Sequence, residues 1–403
     1  MQKFLFIGGM FFPSTEEEIL KNSKGMVQNA ANKLQWLYVK GLEQNLGEEV
    51  DILNSVYIGR YPKAYKKMLI KSKKIKSKNR SVNDVGFINL PILASYTKYQ
   101  NMKRYMYKWW RANKDNDITI FAYGMFSETI SLLKYAKKLD CSIKTVLIIL
   151  DLPEFMNKSN PKSKYYSFVS KRINKKFNNT KNIIDFFVTI TEQMKEKLKI
   201  GDNAIVIEGM VDQISQDNKF RVKKRDKFIF LYAGGLNEKY GVRLMIEAFK
   251  KIEKSNIELW ICGDGPMKKE VTSEMKIDDR IKYLGNLPQN KCLQIQREVS
   301  CLINPRPNSE LTKYSFPSKM MEYLTSGTPV IATLLEGMPE EYRDLFYNFD
   351  EGDNDLYFTM NKVVNLSEDE LEEKARNAQE YIQCNKNNYI QINKLLNKMN
   401  LRK

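Results

Sequence analysis

The sequence predicts an α/β protein of two doubly wound parallel-sheet halves that face each other across a ligand cleft. Three observations carry that expectation. Apolar runs of strand length alternate with helix-length stretches from Lys3 onward. The alternation starts afresh at Phe228, after a charged stretch without apolar periodicity (Gln216 to Lys227). Glycines follow strand-like runs at Gly8-Gly9, Gly124, Gly234-Gly235 and Gly263-Asp264-Gly265, and the carboxyl ends of such strands are where open α/β sheets bind ligands.

Taken in order, Lys3 to Ile7 reads as the first strand, followed by a loop from Met10 to Lys24 and a helix near Met26 to Leu46. Val50 to Leu53 closes this βαβ opening. Further strands are expected at Gly86 to Leu90, Ile118 to Tyr123, Thr145 to Leu150, Phe186 to Thr191 and Ala204 to Ile207. In the second half, strands are expected at Phe228 to Ala233, Glu258 to Cys262, Ile281 to Leu284, Cys301 to Asn304 and Val330 to Thr333, with a helix at Arg243 to Ile252. Residues 367–400 read as terminal helices. The expected domains are 1–215 and 216–375, with helices at 376–403.

Composition narrows the chemistry. At 403 residues the chain can fill two cores, and its formal net charge of +18 calls for an acidic partner: nucleic acid, anionic lipid or a phosphorylated substrate. There is no histidine, so imidazole bases, Ser-His-Asp triads and His-ligated metals are excluded. The five cysteines are scattered, which fits a reducing cytoplasm better than a disulfide scaffold or zinc site. No signal peptide is read at the N-terminus, and the apolar run Val146 to Leu150 is far short of the roughly 20 residues of a membrane span. A cytoplasmic protein is expected, with peripheral attachment to the inner face of the plasma membrane left open.

The most informative segment is Ser315 to Ala332. It reads as a turn, a short helix opened by Pro317, a stop at Gly327 reinforced by Pro329, and a buried strand. A helix N-terminus attracts anions through its free N–H groups and dipole. Glu322, about one turn further in, can accept a sugar hydroxyl. A phosphate at the tip and a hydroxyl along the side describe a sugar nucleotide.

This segment resembles the nucleotide-sugar signature of retaining GT-B glycosyltransferases of family 4 type, in which two glutamates flank a Gly-Phe-Gly-containing turn. Phe316 matches the family phenylalanine and Glu322 the second, ribose-binding glutamate, whereas Tyr314 stands where the first glutamate belongs. The form seen here, Asn304-Pro305-Arg306, Phe316-Pro317-Ser318-Lys319 and Glu322-Tyr323-Leu324, is similar to a subgroup found in bacterial capsule and exopolysaccharide clusters. The resemblance covers residues 185–345. It implies a GT-B fold whose two Rossmann-like domains bind acceptor and nucleotide sugar, with the C-terminal helices crossing back to the first. It also implies transfer from a nucleotide-diphosphate sugar with retention of configuration.

Gly234-Gly235-Leu236 and Lys239-Tyr240-Gly241 stand where the family carries Gly-Arg-Leu and Lys-Gly, so the usual diphosphate cations are missing or displaced. A departing diphosphate still needs its charge neutralised. Arg306, held between Pro305 and Pro307, and Lys319 are the expected replacements, with Lys239 in reserve. The expected donor-binding set is therefore Gly8, Gly9, Gly234, Gly235, Lys239, Gly263, Asp264, Gly265, Arg306, Ser318, Lys319 and Glu322. Arg306, Lys319 and Asp151 are the expected catalytic residues, Asp151 because it follows a strand in the acceptor half and could orient a hydroxyl.

Asp115-Asn116-Asp117 and Asp353-Asn354-Asp355 imitate a metal-binding DxD motif, but the first precedes its strand and the second lies in a Gly/Asp loop. Metal-independent transfer, with no cofactor, is expected. Tyr96 to Arg111 is a helix that interleaves aromatics with lysine and arginine, and Lys71 to Arg80 adds a basic run; this pattern suits an anionic membrane surface. The reading is thus a glycosyltransferase acting on a saccharide or lipid-linked saccharide acceptor. A GT-B sugar-nucleotide epimerase is the alternative. A basic nucleic-acid-binding protein, which no RNA motif supports, is the rival from another class.

Overall fold

The computed structural model describes residues 1–25, 27–75, 80–155, 164–213, 226–350 and 352–401. Most of the expected linker (Gln216 to Lys227) and part of the basic run from Lys71 lie outside these residues. The chain forms two compact units, Met1–Met210 with Asn388–Lys403, and Val211–Asn387.

Unit 1 opens with β1 (Gln2–Gly8), α1 (Pro13–Asn22), α2 (Asn29–Leu46) and β2 (Asp51–Asn54). Short strands follow: β3 (Leu69–Ile70), β4 (Lys73–Ile75), β5 (Val82–Asp84) and β6 (Phe87–Ile88). Then come α3 (Leu93–Asn113), β7 (Asp117–Tyr123), α4 (Ser127–Leu139), β8 (Lys144–Ile148) and α5 (Lys164–Asn178). β9 (Phe186–Thr189), α6 (Glu192–Leu198) and β10 (Ala204–Val206) complete the unit. The sheet order is β10-β9-β8-β7-β1-β2-β5-β4, parallel except for the β4–β5 edge pair. Its core includes Phe6, Tyr38, Leu42, Phe121 and Val146.

Two expectations fail here. The loop from Met10 to Lys24 contains α1, which Pro13 starts and which buries only Thr15 and Ile19, too few apolar positions for a helical period to show. Gly86 to Leu90 is not a strand of the main sheet: β6 pairs antiparallel with β3, and the more polar β5 extends the sheet beside β2. β5 is three residues long and fully buries only Val82, so it leaves no long apolar run in the sequence.

Unit 2 contains β11 (Phe228–Ala233), α7 (Val242–Lys250), β12 (Ile257–Cys262), α8 (Lys268–Ile277), β13 (Ile281–Gly285), α9 (Gln289–Gln296) and β14 (Cys301–Asn304). α10 (Glu310–Lys313), α11 (Ser318–Leu324), β15 (Val330–Ala332), β16 (Tyr347–Asn348), α12 (Gly352–Val364) and α13 (Glu368–Asn385) follow. The all-parallel order β13-β12-β11-β14-β15-β16 is the 3-2-1-4-5-6 arrangement of dinucleotide-binding sheets. Apolar clusters cover both faces, one around Phe230, Phe249 and Leu259, the other around Leu231, Met320 and Tyr342. The last helix, α14 (Asn388–Lys398), packs on α2 in unit 1, where Ile392, Leu395 and Leu396 join the core. The Asp353-Asn354-Asp355 triplet is not in a loop but in the first turn of α12, where Asp353 and Asn354 accept from Lys251 at 2.6 Å each.

Candidate nucleotide-sugar site

Strand order in unit 2 reverses between β11 and β14, and a doubly wound sheet holds its ligand at the carboxyl ends of the strands flanking such a point. Three loops meet there, sewn together by glycines. A Cβ on Gly263 would lie 1.8 Å from the Gly234 carbonyl oxygen, and one on Gly265 would lie 2.4 Å from that of Leu236. A Cβ on Gly241 would lie 1.8 Å from the Pro305 carbonyl oxygen. Hydrogen bonds lock the seam: Leu236 N–H donates to Asp264 O (3.0 Å) and Met267 N–H to Leu236 O (3.0 Å). The loops that carry Gly234, Gly235, Lys239, Asp264 and Arg306 are thus one rigid shelf.

Tyr240, which the sequence did not single out, organises its cations. The Arg306 guanidinium lies 5.6 Å and the Lys239 ammonium 5.2 Å from the centre of its ring. The ring also crowds Gly235, whose Cβ would lie 3.1 Å from it. Arg306 donates to Ser315 Oγ at 3.3 Å, tying the shelf to the turn before α11. Beneath, the Tyr232 hydroxyl donates to Gly235 O (2.8 Å), and burial raises its pKa.

α11 begins at Ser318 with Pro317 as its N-cap, so the free N–H groups of its first turn belong to Ser318 and its neighbours. It ends at Leu324, three residues before Gly327, which takes a left-handed φ of 79° in the following turn. Phe316 is buried against Tyr342, with ring centres 5.3 Å apart. Glu322 is held by two donors on the same oxygen, Lys319 Nζ and Gln296 Nε2, both at 2.7 Å. Gln296 is fully buried, and among the described residues its Oε1 has no hydrogen-bond partner. No motif pointed to it, because it lies on α9, 26 residues upstream. Tyr323 faces inward: its hydroxyl accepts from Ala233 N–H (2.8 Å) and donates to Ala233 O (3.2 Å), anchoring α11 to the end of β11.

The structure therefore gathers Arg306 with Lys239, and Lys319 with Glu322, within unit 2. Gly8, Gly9 and Asp151 lie in unit 1. Gly9 is buried under the Tyr57 ring, which a Cβ would meet at 2.1 Å, and its N–H donates to Gln35 Oε1 (2.8 Å). Tyr57 spans the β1/β7 reversal, its hydroxyl donating to Tyr123 O (2.7 Å) and its ring meeting Phe126 edge-on at 5.0 Å. Packing against Tyr57 requires glycine at this position. Asp151 follows β8 at intermediate burial, and nearby Glu154 is engaged with Lys197 (3.2 Å) and Asn174 (3.2 Å). Asp117 begins β7, at the end of the sheet away from the carboxyl edge. Among the described residues no group of three or more acidic or cysteine side chains could hold a metal ion, and no helix is long and apolar enough to cross a membrane.

Comparison with solved structures identifies the architecture. Sucrose-phosphate synthase of Thermosynechococcus elongatus superposes with a TM-score of 0.65 at 13% identity over 99% of both chains. A variant of S. aureus TarM in complex with fondaparinux, alpha-GlcNAc-glycerol and UDP gives 0.60 at 13% identity, covering 99% of this chain and 100% of that one. Anabaena HepE in complex with UDP and glucose gives 0.57 at 13% identity over 100% of both. The fold is GT-B.

Residues 213–382, nearly the whole of unit 2, match the family model Glycosyl transferases group 1, that of family GT4, whose members are retaining hexosyltransferases. TuaH of Bacillus subtilis (strain 168), named as a glycosyltransferase of teichuronic acid biosynthesis, is 21% identical over 185 residues, 45% of this chain and 46% of that protein. The match spans about half the length of that relative.

Proposed function

We propose that the chain is a retaining glycosyltransferase that moves a sugar from a nucleotide-diphosphate donor to a saccharide acceptor in capsule or exopolysaccharide assembly. The acceptor is lipid-linked, and transfer takes place at the cytoplasmic face of the membrane without a metal ion. Unit 1 is the acceptor-binding domain and unit 2 the nucleotide-sugar domain. One observation carries this reading: the glycine-sewn shelf at the β11/β14 reversal presents Arg306 and Lys239 beside the α11 turn, while Glu322 is held on α11. The names of TuaH, TarM and HepE, with UDP in two of the complexes, support a nucleoside-diphosphate donor and a polysaccharide product.

In this mechanism Glu322 accepts the ribose hydroxyls, and Arg306 and Lys319 neutralise the diphosphate as it departs, with Lys239 at the rim. Ser318 and the backbone of Gly234, Gly235, Gly263, Asp264 and Gly265 line the nucleotide. Gly8 and Gly9 shape the acceptor side, and Asp151 orients the acceptor hydroxyl. The chain has no histidine, so the acceptor proton passes to the leaving diphosphate oxygen on the same face. The bond from C1 to the phosphate oxygen breaks, and one from C1 to the acceptor oxygen forms.

The test is nucleotide binding by calorimetry to wild type and Glu322→Ala. Loss of at least about tenfold in affinity is expected, since a hydrogen bond to a charged group is worth roughly 1.5–3 kcal/mol. A modest fall in melting temperature should accompany it, because the buried Gln296 amide loses its carboxylate acceptor. Unchanged affinity would remove Glu322 from the site. Rapid conversion of donor to its epimer without acceptor would overturn the transferase reading itself.

A further inference from the structure

We propose that the face of unit 1 formed by α3, α4 and α5 docks on an anionic phospholipid bilayer, with lipid phosphates entering a basic cavity at its centre. The inference rests on the membrane clause of the function proposed above and names the surface that would carry it. The cavity, about 530 Å³, is lined by Lys103 from α3, Lys134 and Lys138 from α4, and Arg172, Lys175 and Lys176 from α5, and among the described residues by no carboxylate. Lys176 is engaged internally: its ammonium donates to Ser127 Oγ (2.7 Å) and Ser131 Oγ (2.9 Å), clipping α5 to α4. Lys103 lies 4.6 Å from the centre of the Tyr135 ring. None of the six forms an ion pair among the described residues. Like charges gathered round one hollow repel each other, so the natural occupant is anionic.

Aromatic side chains on the same helix faces select among anions. Tyr96, Tyr99, Lys103 and Tyr107 fall on one stripe of α3, and Tyr165, Phe168, Arg172 and Lys175 on one stripe of α5. Phe168 is 63% exposed and Tyr96 60%, and Tyr107 and Tyr165 are exposed as well. A soluble acidic glycan would satisfy the cations but leave these rings in water. A bilayer interface accepts both, with rings at headgroup depth and lysines against phosphate.

The full chain is incubated with phosphatidylcholine vesicles, with or without phosphatidylglycerol, and the bound fraction is measured by sedimentation. Binding that requires phosphatidylglycerol and weakens with salt is expected. The combined variant K134E/K138E/R172E/K175E, at four exposed positions, should partition roughly tenfold or more weakly. Glutamate at the exposed unit 2 lysines Lys269, Lys276, Lys291 and Lys362 should have a far smaller effect. Phe168→Ser should weaken binding without changing its salt dependence. Retained nucleoside-diphosphate thermal shift in the fourfold variant shows that it is folded. Wild-type affinity in that variant would overturn the proposal. Saturable binding of soluble oligogalacturonate with no binding to vesicles would overturn it in favour of an anionic glycan. Absent vesicle binding with sugar transfer to a soluble acceptor intact would overturn the docking surface and leave the transferase standing.

Discussion

At Gly241 the backbone takes a left-handed φ of 77°, and any side chain would run into the Pro305 carbonyl. Gly285 has the same φ with open space around it. Alanine at Gly285 should therefore cost only the conformational term of about 1–2 kcal/mol, whereas Gly241→Ala adds a backbone clash and should cost clearly more. Denaturant unfolding of the two variants checks this, and equal losses would mean the shelf is not closely packed. Lys98 makes a different residue-scale prediction. It is buried, donates to Ser55 O (3.2 Å) and Val56 O (2.9 Å), and lies 4.2 Å from the centre of the Phe87 ring. Burial, opposed by Glu128 and Asp84 and reinforced by Arg60, brings its pKa down to about 7. Between that value and the ordinary lysine range the unfolded chain binds more protons than the folded one, so stability rises with pH across this window. Lys98→Met should flatten that slope. Asp84, pushed up to about 6 by burial, has the opposite sign, and its stabilising contribution is lost as pH rises through 6. The proposed roles of Glu322 and Arg306 were suggested by the sequence, but those of Gln296 and Tyr240 were not. Their importance comes from neighbours 26 and 66 positions away, which no local pattern encodes.

Among elements, α11 depends on tertiary support. Seven residues are too few to be stable as an isolated helix, so packing must hold it. Met320, Tyr323 and Leu324 are buried in one cluster, and the Tyr323 hydroxyl satisfies both backbone groups of Ala233. Tyr323→Phe strands those groups in the core and should cost about 1–3 kcal/mol. Because α11 carries Glu322, nucleotide affinity should fall with stability; full affinity at reduced stability would show that Tyr323 supports the core alone. Strands β11, β14 and β15 were legible because each is a mostly or fully buried apolar run, and β11 and β14 coincide with the expected ranges, whereas the half-buried two-residue β16 was not expected. α1 and β5 were not legible. The first buries two side chains and the second is a three-residue strand with one fully buried side chain, so neither imposes a strong period on its sequence.

For the whole molecule, a nucleoside diphosphate that binds the folded chain should raise its melting temperature with concentration by mass action. Hydrogen exchange with bound UDP should show new protection over residues 234–241, 263–267 and 305–323. Protection confined to unit 1 would place the nucleotide elsewhere.

The repeated strand–helix alternation and the glycines after β1, β11 and β12 were sufficient for the two-sheet plan, because buried parallel strands leave a local apolar signature whatever their partners. The Phe316-to-Glu322 segment likewise suggests the proposed donor end of unit 2, since a turn, a helix start and one acid are contiguous. Which strands are neighbours, why Gly9 faces Tyr57, how Tyr240 holds two cations and why α14 returns to unit 1 are long-range facts. They follow from burial and hydrogen bonding between segments distant along the chain, so they exist only once the chain has packed.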